Sequence, residues 1–145
     1  MKVLVVHGPN LNLLGDRETD IYGHESLEEI DQALKKRAKT NGIDIECFQS
    51  NHEGDIVETI QSKKDEVDGL LINPAAFTHY SIALRDAITA TDLPVVEVHL
   101  SNIYSREDWR SKSVISPIAI GQISGFGMNS YLLGLEALIE VIKKG

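Results

Sequence analysis

Residues 2–23 read KVLVVHGPNLNLLGDRETDIYG, an apolar run followed by a long polar segment. The run KVLVVH (2–7) has the continuous apolar character of a strand buried on both faces of a parallel sheet. The segment after it stands where a nucleotide-binding protein carries its phosphate-binding glycines, but it holds asparagines, Arg17 and Tyr22 instead. This stretch therefore predicts the first strand of an α/β fold. It also predicts that the segment after the strand binds its ligand without a glycine-rich loop.

The rest of the chain continues the alternation of strands and helices. Apolar or alternating runs predict strands over 43–49, 69–73, 95–100 and 117–125, and helical periodicity predicts helices over 26–42, 55–64, 78–90 and 129–144. Strands separated by helices are typical of a parallel sheet covered on both faces. We predict a flavodoxin-like α/β fold of three layers, with a five-stranded parallel sheet in the order 2-1-3-4-5, in a single catalytic domain over residues 1–145.

The composition is that of an ordinary globular domain. The chain has 145 residues, of which 42% are hydrophobic and 25% charged, so it can bury a core of its own. No apolar run reaches the roughly 20 residues that cross a bilayer, and the first residues lack the shape of a signal peptide. Cys47 is the only cysteine, which excludes an internal disulfide. We expect a cytoplasmic protein with no membrane partner.

The charge balance is acidic. Fourteen Lys and Arg residues stand against 22 Asp and Glu residues, which gives a formal net charge of -8. Such a surface repels nucleic acid, so we expect no nucleic-acid partner. A small anionic substrate would need a local concentration of arginine.

Four polar segments follow the first four predicted strands. In open parallel sheets, ligands bind beyond the carboxyl ends of the strands, close to the point where the strand order reverses. The segments contain four of the five histidines in the chain. We therefore predict that the functional site is formed by these segments: 7–23 (HGPNLNLLGDRETDIYG), 49–54 (QSNHEG), 73–80 (NPAAFTHY) and 99–110 (HLSNIYSREDWR).

Several common site types lack their residues. Neither a G-x-G-x-x-G nor a G-x-x-x-x-G-K-[ST] loop follows the first strand, and no G-x-S-x-G serine motif is present. A phospho-acceptor module would need acidic residues where His7 and Asn73 stand. Imidazoles and carboxylates in the four segments could bind a metal, but their spacing along the chain does not match that of metal-binding motifs. We therefore predict no metal. A flavin-binding module and a metal-dependent hydrolase are the alternatives to weigh.

Glu97 and His99 lie two residues apart on the fourth predicted strand, so they point off the same face of the sheet. A carboxylate beside an imidazole fixes its tautomer and raises its basicity, which suits a general acid. The competing interpretation is that Glu97 faces solvent at a strand edge.

Arg17 and Tyr22 form a second candidate pair. A free tyrosine keeps its proton at neutral pH, but a guanidinium nearby favours the phenolate, above all in a site without water. The segment from Gly8 to Gly23 exceeds the about 12–15 residues of ordinary unstructured loops, so it is either disordered or a lid that closes over the site. A surface arginine and a tyrosine that anchors a turn would explain the same residues.

Arg106 and Arg110 stand four residues apart in the last segment. Arg110 could clamp a carboxylate, although either arginine could equally pair with Glu107 or Asp108. The backbone of Leu100 and Ser101, just beyond the fourth strand, offers N–H groups to an anion.

Together these blocks resemble the type II 3-dehydroquinate dehydratase family. The resemblance is carried by HGPNLNLLGDRETDIYG, FQSNHEG, INPAAFTHYSIALRDA and VEVHLSNIYSREDWRSKS, and it continues to GFG at 125–127. It implies a flavodoxin-like fold and a lyase without a cofactor. The implied reaction is the anti-elimination of water from 3-dehydroquinate to 3-dehydroshikimate in the shikimate pathway, which serves aromatic amino acid biosynthesis.

The resemblance also implies a role for individual residues. Tyr22 would remove the proton beside the ketone, and Arg17 would favour its ionised form. Asn12 would hold a water that stabilises the enolate, and His99, oriented by Glu97, would protonate the departing hydroxyl. Substrate-binding positions match Asn73, His79, Asp86, Leu100, Ser101 and Arg110. Asp86 would reach the site of a neighbouring subunit in a homo-oligomer, a dodecamer built of trimers.

Three positions depart from the usual pattern of that family. His7 replaces a usual Asn, Phe77 a usual Tyr and Tyr104 a frequent His, so we expect altered hydrogen bonding near the site without loss of the reaction. The two alternatives make different predictions from the lyase. A flavin module would absorb visible light, and EDTA would inactivate a metal-dependent hydrolase.

Overall fold

The computed structural model describes all of residues 1–145 and contains one five-stranded parallel sheet. The strand order is β2-β1-β3-β4-β5, and every neighbouring pair is parallel. This confirms the predicted flavodoxin-like α/β fold and its strand order. The strands are β1 (Lys2–His7), β2 (Asp44–Gln49), β3 (Gly69–Asn73), β4 (Val95–His99) and β5 (Gly121–Ser124).

Helices cover both faces of the sheet and make the three layers. Successive residues of β1 face opposite cores: Val3 and Val5 pack with residues of α2 and α5, whereas Leu4 and Val6 pack with residues of α3 and α4. A strand buried on both sides needs apolar residues at every position, which explains the continuous run KVLVV. The helices are α1 (Thr19–Tyr22), α2 (Leu27–Thr40), α3 (Glu53–Lys63), α4 (Ile82–Thr89) and α5 (Met128–Lys144).

Two predicted elements are shorter than expected. The helix predicted over 78–90 begins only at Ile82, because residues 75–79 form a 3-10 turn and Ser81 caps α4 by accepting a hydrogen bond from the Leu84 N–H at 3.0 Å. The strand predicted over 117–125 is limited to β5, because residues 116–118 form another 3-10 turn with Pro117 near its start. Proline lacks the N–H that a strand within the sheet would have to donate.

The segment after β1 is structured, so the disordered alternative for it is wrong. It forms a 3-10 turn over Leu11–Leu13 and then the short helix α1. The following helix α2 begins at a capping box, in which Ser26 and Glu29 bond each other's backbone N–H groups, as its sequence predicted.

Gly8 sets the path of the chain as it leaves β1. A Cβ at this position would lie 2.4 Å from the carbonyl oxygen of Pro74, so only glycine fits. The Gly8 N–H donates to the Asn73 carbonyl oxygen at 2.8 Å. This contact draws the segments after β1 and β3 together at the centre of the sheet.

None of the helices has the length and apolar character that crossing a membrane requires. The location of the protein in the cell stays a prediction.

Candidate active site

One cleft lies at the carboxyl ends of β1, β3 and β4, where the fold predicts a ligand. The space that its walls surround, open solvent included, is about 660 Å³. Its lining comes from three of the four predicted segments: Pro9, Asn10, Leu11, Leu14, Arg17, Tyr22, Asn73, Ala75, Ala76, His79, His99, Leu100, Ser101, Ile103, Arg106 and Arg110.

The segment after β2 is the exception, because none of its residues lines the cleft. It supports the cleft from outside: the Asn51 side-chain oxygen accepts a hydrogen bond from the Asn10 N–H at 2.9 Å. His52 stands exposed at the start of α3. Since β2 is an edge strand, its carboxyl end lies beside the site rather than beneath it.

Three arginines line the cleft: Arg17, Arg106 and Arg110. In a protein with a formal net charge of -8, this is the local concentration of positive charge that an anionic ligand requires. Arg110 also donates to Glu107 at 2.5 Å, so the pairing that its sequence suggested coexists with a place in the cleft.

Tyr22 lies between two of these arginines. The guanidinium carbons of Arg17 and Arg106 are 5.1 Å and 5.2 Å from the centre of its ring. Arg106 also donates to the Ser101 hydroxyl at 3.3 Å, and its contact with Tyr22 joins the segment after β4 to the loop after β1. Both residues line the cleft, which favours the site interpretation over that of a surface arginine and a tyrosine that anchors a turn.

The sequence did not single out Arg106 as a site residue. The available signal was its position in a segment that follows a central strand, in a chain where arginine is scarce and acidic residues dominate. Its spacing to Glu107 and Asp108 allowed a surface ion pair equally well, and only the folded chain shows which side chains it meets.

His99 lines the cleft, and Glu97 lies directly behind it. The Nε2 of His99 is 2.5 Å from a carboxylate oxygen of Glu97, as the two-residue spacing predicted. Glu97 is fully buried, so the alternative that it faces solvent is wrong. Since a carboxylate can only accept, Nε2 carries a proton in this contact, and Nδ1 is the nitrogen not bonded to Glu97.

Three hydroxyl groups complete the surroundings of Glu97. Thr78 donates at 2.5 Å, Ser116 at 2.6 Å and Ser113 at 3.0 Å. Burial by itself would raise the pKa of the Glu97 carboxyl, but the hydrogen bond and charge of His99, with the hydroxyl donors, hold that pKa below its ordinary value. Glu97 therefore stays ionised and fixes the ring of His99.

His79 also lines the cleft. Its Nδ1 donates to the Lys112 carbonyl oxygen at 2.7 Å, and its ring meets Trp109 edge-on at 5.6 Å. Burial lowers the pKa of His79, despite the hydrogen bond to Lys112. A neutral ring in this arrangement offers Nε2 to the cleft as a hydrogen-bond acceptor.

Asn73, Leu100 and Ser101 stand at the ends of the two central strands, and all three are buried lining residues. The side-chain oxygen of Asn73 accepts a hydrogen bond from the Ala75 N–H at 3.1 Å. A ligand in the cleft could therefore reach all three, and their role in binding an anion stays a prediction.

Besides Glu97, which lies behind His99, two predicted site residues do not line the cleft. Asn12 is exposed on the 3-10 turn after β1, and the asparagine of this segment that lines the cleft is Asn10. Asp86 is exposed on α4. Their predicted roles in holding a water and in reaching a neighbouring subunit stay predictions.

Of the three positions that depart from the expected pattern, none lines the cleft. Phe77 is buried in the core beneath α3 and α4, and Tyr104 is exposed. His7 is fully buried at the end of β1, where it bonds the side chains of Tyr131 and Asp31.

His7, Asp31 and Cys47 bring three possible metal-ligand atoms within 4.8 Å of one another. Both ring nitrogens of His7 are already engaged, with the Tyr131 hydroxyl at 2.8 Å and Asp31 at 2.7 Å. Burial, with the Asp31 carboxylate nearby, raises the pKa of the Cys47 thiol to about 12. Because metals bind the thiolate, this group is better explained as a hydrogen-bonded network.

Comparison with known proteins agrees with the geometry. Residues 1–139 match the family model described as dehydroquinase class II. The chain is 59% identical over 145 residues to the 3-dehydroquinate dehydratase of Desulforudis audaxviator, covering 100% of this chain and 97% of the relative. It is 62% identical over 144 residues to the enzyme of the same name from Geotalea daltonii, covering 99% of this chain and 100% of the relative.

Two solved structures agree with the sequence comparison. The type II dehydroquinase of Butyrivibrio crossotus superimposes with a TM-score of 0.93 at 45% identity, covering 95% of this chain and 97% of that one. The type II dehydroquinase of Propionibacterium acnes gives 0.91 at 38% identity, covering 96% of both chains. This chain belongs to the class II dehydroquinase family.

Proposed function

We propose that this protein is a lyase that removes water from 3-dehydroquinate and yields 3-dehydroshikimate, a step of the shikimate pathway. Family membership and the names of the relatives support the reaction. The single observation that carries it is the cleft itself. A tyrosine between two guanidinium groups faces the same space as a histidine that a buried glutamate holds.

Tyr22 is the proposed base. The carbon beside a ketone has a weakly acidic proton, and its removal leaves an enolate. Arg17 and Arg106 place two positive charges beside the Tyr22 ring, and the attraction of these charges for a negative charge formed in the cleft grows as water leaves it. Both Arg17 and Tyr22 lie on the loop after β1, so a small movement of that loop over a bound substrate would exclude water.

Asn12 is the proposed holder of the water that stabilises the enolate oxygen. The side chain is exposed, so this role requires the turn over Leu11–Leu13 to rotate when substrate binds. Preorganised hydrogen-bond donors at a developing oxyanion are among the strongest contributions to catalysis.

His99 is the proposed acid. In its doubly protonated form, Nε2–H remains bonded to Glu97 and Nδ1–H is free to protonate the departing hydroxyl. The carbon–oxygen bond then breaks, water leaves, and the electron pair of the enolate forms the new double bond. One proton is removed, one is donated, one carbon–oxygen bond breaks and no oxidant or reductant is needed, so we propose that no cofactor takes part.

The segments at the ends of β3 and β4 are proposed to bind the substrate carboxylate. Arg110 supplies a positive charge, and Asn73, Ser101 and the backbone after Leu100 supply hydrogen bonds. A neutral His79 accepts from a substrate hydroxyl through Nε2.

Asp86 is the residue proposed to reach the site of a neighbouring subunit in a homo-oligomer, a dodecamer built of trimers. It lies on α4, outside the cleft of its own chain. Tyr80 and Ile82, next to it at the start of α4, are 61% and 55% exposed, and an interface would cover these apolar side chains.

The test is direct. The purified protein is incubated with 3-dehydroquinate, and the ultraviolet absorbance of the conjugated enone product is followed. We expect a rise in absorbance that EDTA does not affect, and no visible absorbance of the protein. A protein of native fold that produces no enone would contradict the proposed function, and loss of the activity in EDTA would favour the metal-dependent alternative.

A further inference from the structure

Trp109 lies against Arg110, the arginine proposed to bind the substrate carboxylate, but does not line the cleft itself. We propose that Trp109 is a positioning residue, whose indole ring holds the guanidinium of Arg110 in the orientation that receives the carboxylate. The inference rests on the proposed function, because its kinetic effect is read in the turnover of 3-dehydroquinate.

The contact between the two side chains is close. The guanidinium carbon of Arg110 is 4.2 Å from the centre of the Trp109 ring, whereas the two arginines beside Tyr22 are 5.1 Å and 5.2 Å from the centre of its ring. An aromatic ring attracts a cation that lies within about 6 Å of its centre, and tryptophan attracts it most strongly. The indole ring therefore stabilises one position of the guanidinium group.

Glu107 holds Arg110 at a second point. Its carboxylate accepts a hydrogen bond from the Nε of Arg110 at 2.5 Å. The guanidinium group cannot turn without losing either this bond or its contact with the indole ring. The N–H groups on Nη1 and Nη2 remain for a ligand, and a carboxylate can accept from such a group bidentately. Since Arg110 lines the cleft, these groups are available to the substrate.

The indole ring is itself held in place by His79. The two ring centres are 5.6 Å apart with 83° between the ring planes, which is the edge-to-face arrangement that aromatic pairs favour. The His79 ring is fixed in turn by the hydrogen bond of its Nδ1 to the Lys112 carbonyl oxygen at 2.7 Å. Trp109 therefore connects His79, on the segment after β3, with Arg110, on the segment after β4.

The exposure of Trp109 argues against a role in the core. The side chain is 55% exposed on a 3-10 turn over Asp108–Ser111, and it belongs to neither of the two hydrophobic clusters that flank the sheet. Replacing such a residue changes the stability of a fold little, so we expect variants at this position to fold. What the ring supplies is its contact with Arg110 and His79.

The first experiment compares Trp109→Leu with Trp109→Phe. Both variants keep an apolar side chain, but only phenylalanine keeps an aromatic face for Arg110. A contact with the substrate carboxylate is made equally in the ground state and the transition state, so its loss affects KM rather than kcat. We expect Trp109→Leu to raise KM about fivefold, with kcat within about twofold of the wild type, and Trp109→Phe to raise KM by no more than about twofold. Equal KM values in the two variants would mean that the indole only fills space, and would overturn the inference.

A double variant tests whether the effect passes through Arg110. In an Arg110→Ala background we expect Trp109→Leu to leave KM unchanged, because the group that the indole positions is absent. Effects on KM that multiply would show that Trp109 acts through another group, and the inference would be wrong.

Fluorescence tests the contact without any turnover and with the indole intact. Trp109 is the only tryptophan in the chain, so indole emission reports this ring alone. We expect Arg110→Ala to make the emission more sensitive to the neutral quencher acrylamide, because the guanidinium that covers part of the ring is gone. Arg106→Ala is the control, since the ring that Arg106 contacts is that of Tyr22, and it should leave the quenching unchanged. Equal quenching in the wild type and in Arg110→Ala would contradict the contact and the inference with it.

The two proposals fail differently. A wild-type protein without turnover would overturn the proposed function and, with it, the role of Trp109 in that reaction. An active wild type, with the same KM in Trp109→Leu and Trp109→Phe, would overturn the inference alone.

Discussion

Glu97 is the residue on which the geometry of the proposed acid depends. It is fully buried and accepts hydrogen bonds from His99 and from the hydroxyls of Thr78, Ser113 and Ser116. A buried carboxylate with this many donors is stable as an anion, whereas the same carboxylate without them would be strongly destabilising.

The depressed pKa of Glu97 makes a prediction about acid stability. Its pKa in the fold lies below the ordinary value of 4.5, so its contribution is present above that value and is lost as the pH falls through the folded pKa. We expect Glu97→Gln to lower the free energy of unfolding in urea at pH 7, and the difference from the wild type to narrow as the pH falls below 4.5.

Glu46→Gln is the control for this measurement. The pKa of Glu46 is also lowered, by hydrogen bonds from Lys63 and Lys2, but the group is on the surface. Its effect should be small and should fade in salt, since solvent screens exposed pairs. A gap between wild type and Glu97→Gln that stays constant from pH 7 to acid would contradict the account of Glu97.

At the level of residues, the sequence predicts groups that share a strand or follow one. Glu97 with His99 is such a case, because strand geometry puts residues two apart on one face. The hydroxyls of Ser113 and Ser116 and the guanidinium of Arg106 were not predicted as partners, because their contacts depend on how separate loops return to the sheet. Asn12 shows the opposite error of position: the family pattern assigns it to the site, but its side chain is exposed.

Among the elements, the helix α2 is the one that anchors the end of the long loop after β1. Its capping box satisfies backbone N–H groups that would otherwise have no partner. We expect Ser26→Ala to lower the free energy of unfolding by about 1 kcal/mol, measured by urea unfolding.

Ser62→Ala is the comparison for that prediction. Ser62 is an exposed serine near the end of α3 whose hydroxyl only donates back to the Thr59 carbonyl oxygen. Its replacement should change stability by less than about 0.5 kcal/mol. Equal losses in the two variants would mean that the capping box does not stabilise α2.

Strands marked by a continuous apolar run were predicted well. The apolar runs of β1 and β3 gave their observed bounds, because a strand buried on both faces leaves no ambiguity about which residues belong to it. The predicted start of α4 and the predicted length of β5 were wrong. In both places apolar residues near the sheet form 3-10 turns, and periodicity does not distinguish such turns from regular elements.

At the scale of the whole molecule, a positively charged cleft lies in a protein whose net charge is negative. Salt screens attraction between an exposed cationic site and an anionic substrate, with a Debye length of about 10 Å at 0.1 M. We expect KM for 3-dehydroquinate to rise as sodium chloride is increased, with kcat nearly constant. A KM independent of salt would contradict the role of Arg17, Arg106 and Arg110 in attracting the substrate.

The proposed assembly is also a property of the whole molecule. The chain has a mass of 16.0 kDa, so sedimentation distinguishes a monomer from a trimer or a dodecamer without ambiguity. We expect a multiple of the trimer, and we expect Asp86→Ala to reduce turnover while the assembly persists. A stable, fully active monomer would contradict both the assembly and the role of Asp86.

The most direct test of the central claim is the turnover of Tyr22→Phe, followed by enone absorbance beside the wild type. Tyr104→Phe is the control, because Tyr104 is 63% exposed and lies outside the cleft. We expect Tyr22→Phe to fold normally and to lose at least about 100-fold in kcat, while Tyr104→Phe keeps the wild-type rate. A Tyr22→Phe protein within about twofold of the wild-type kcat would contradict the claim that Tyr22 is the base.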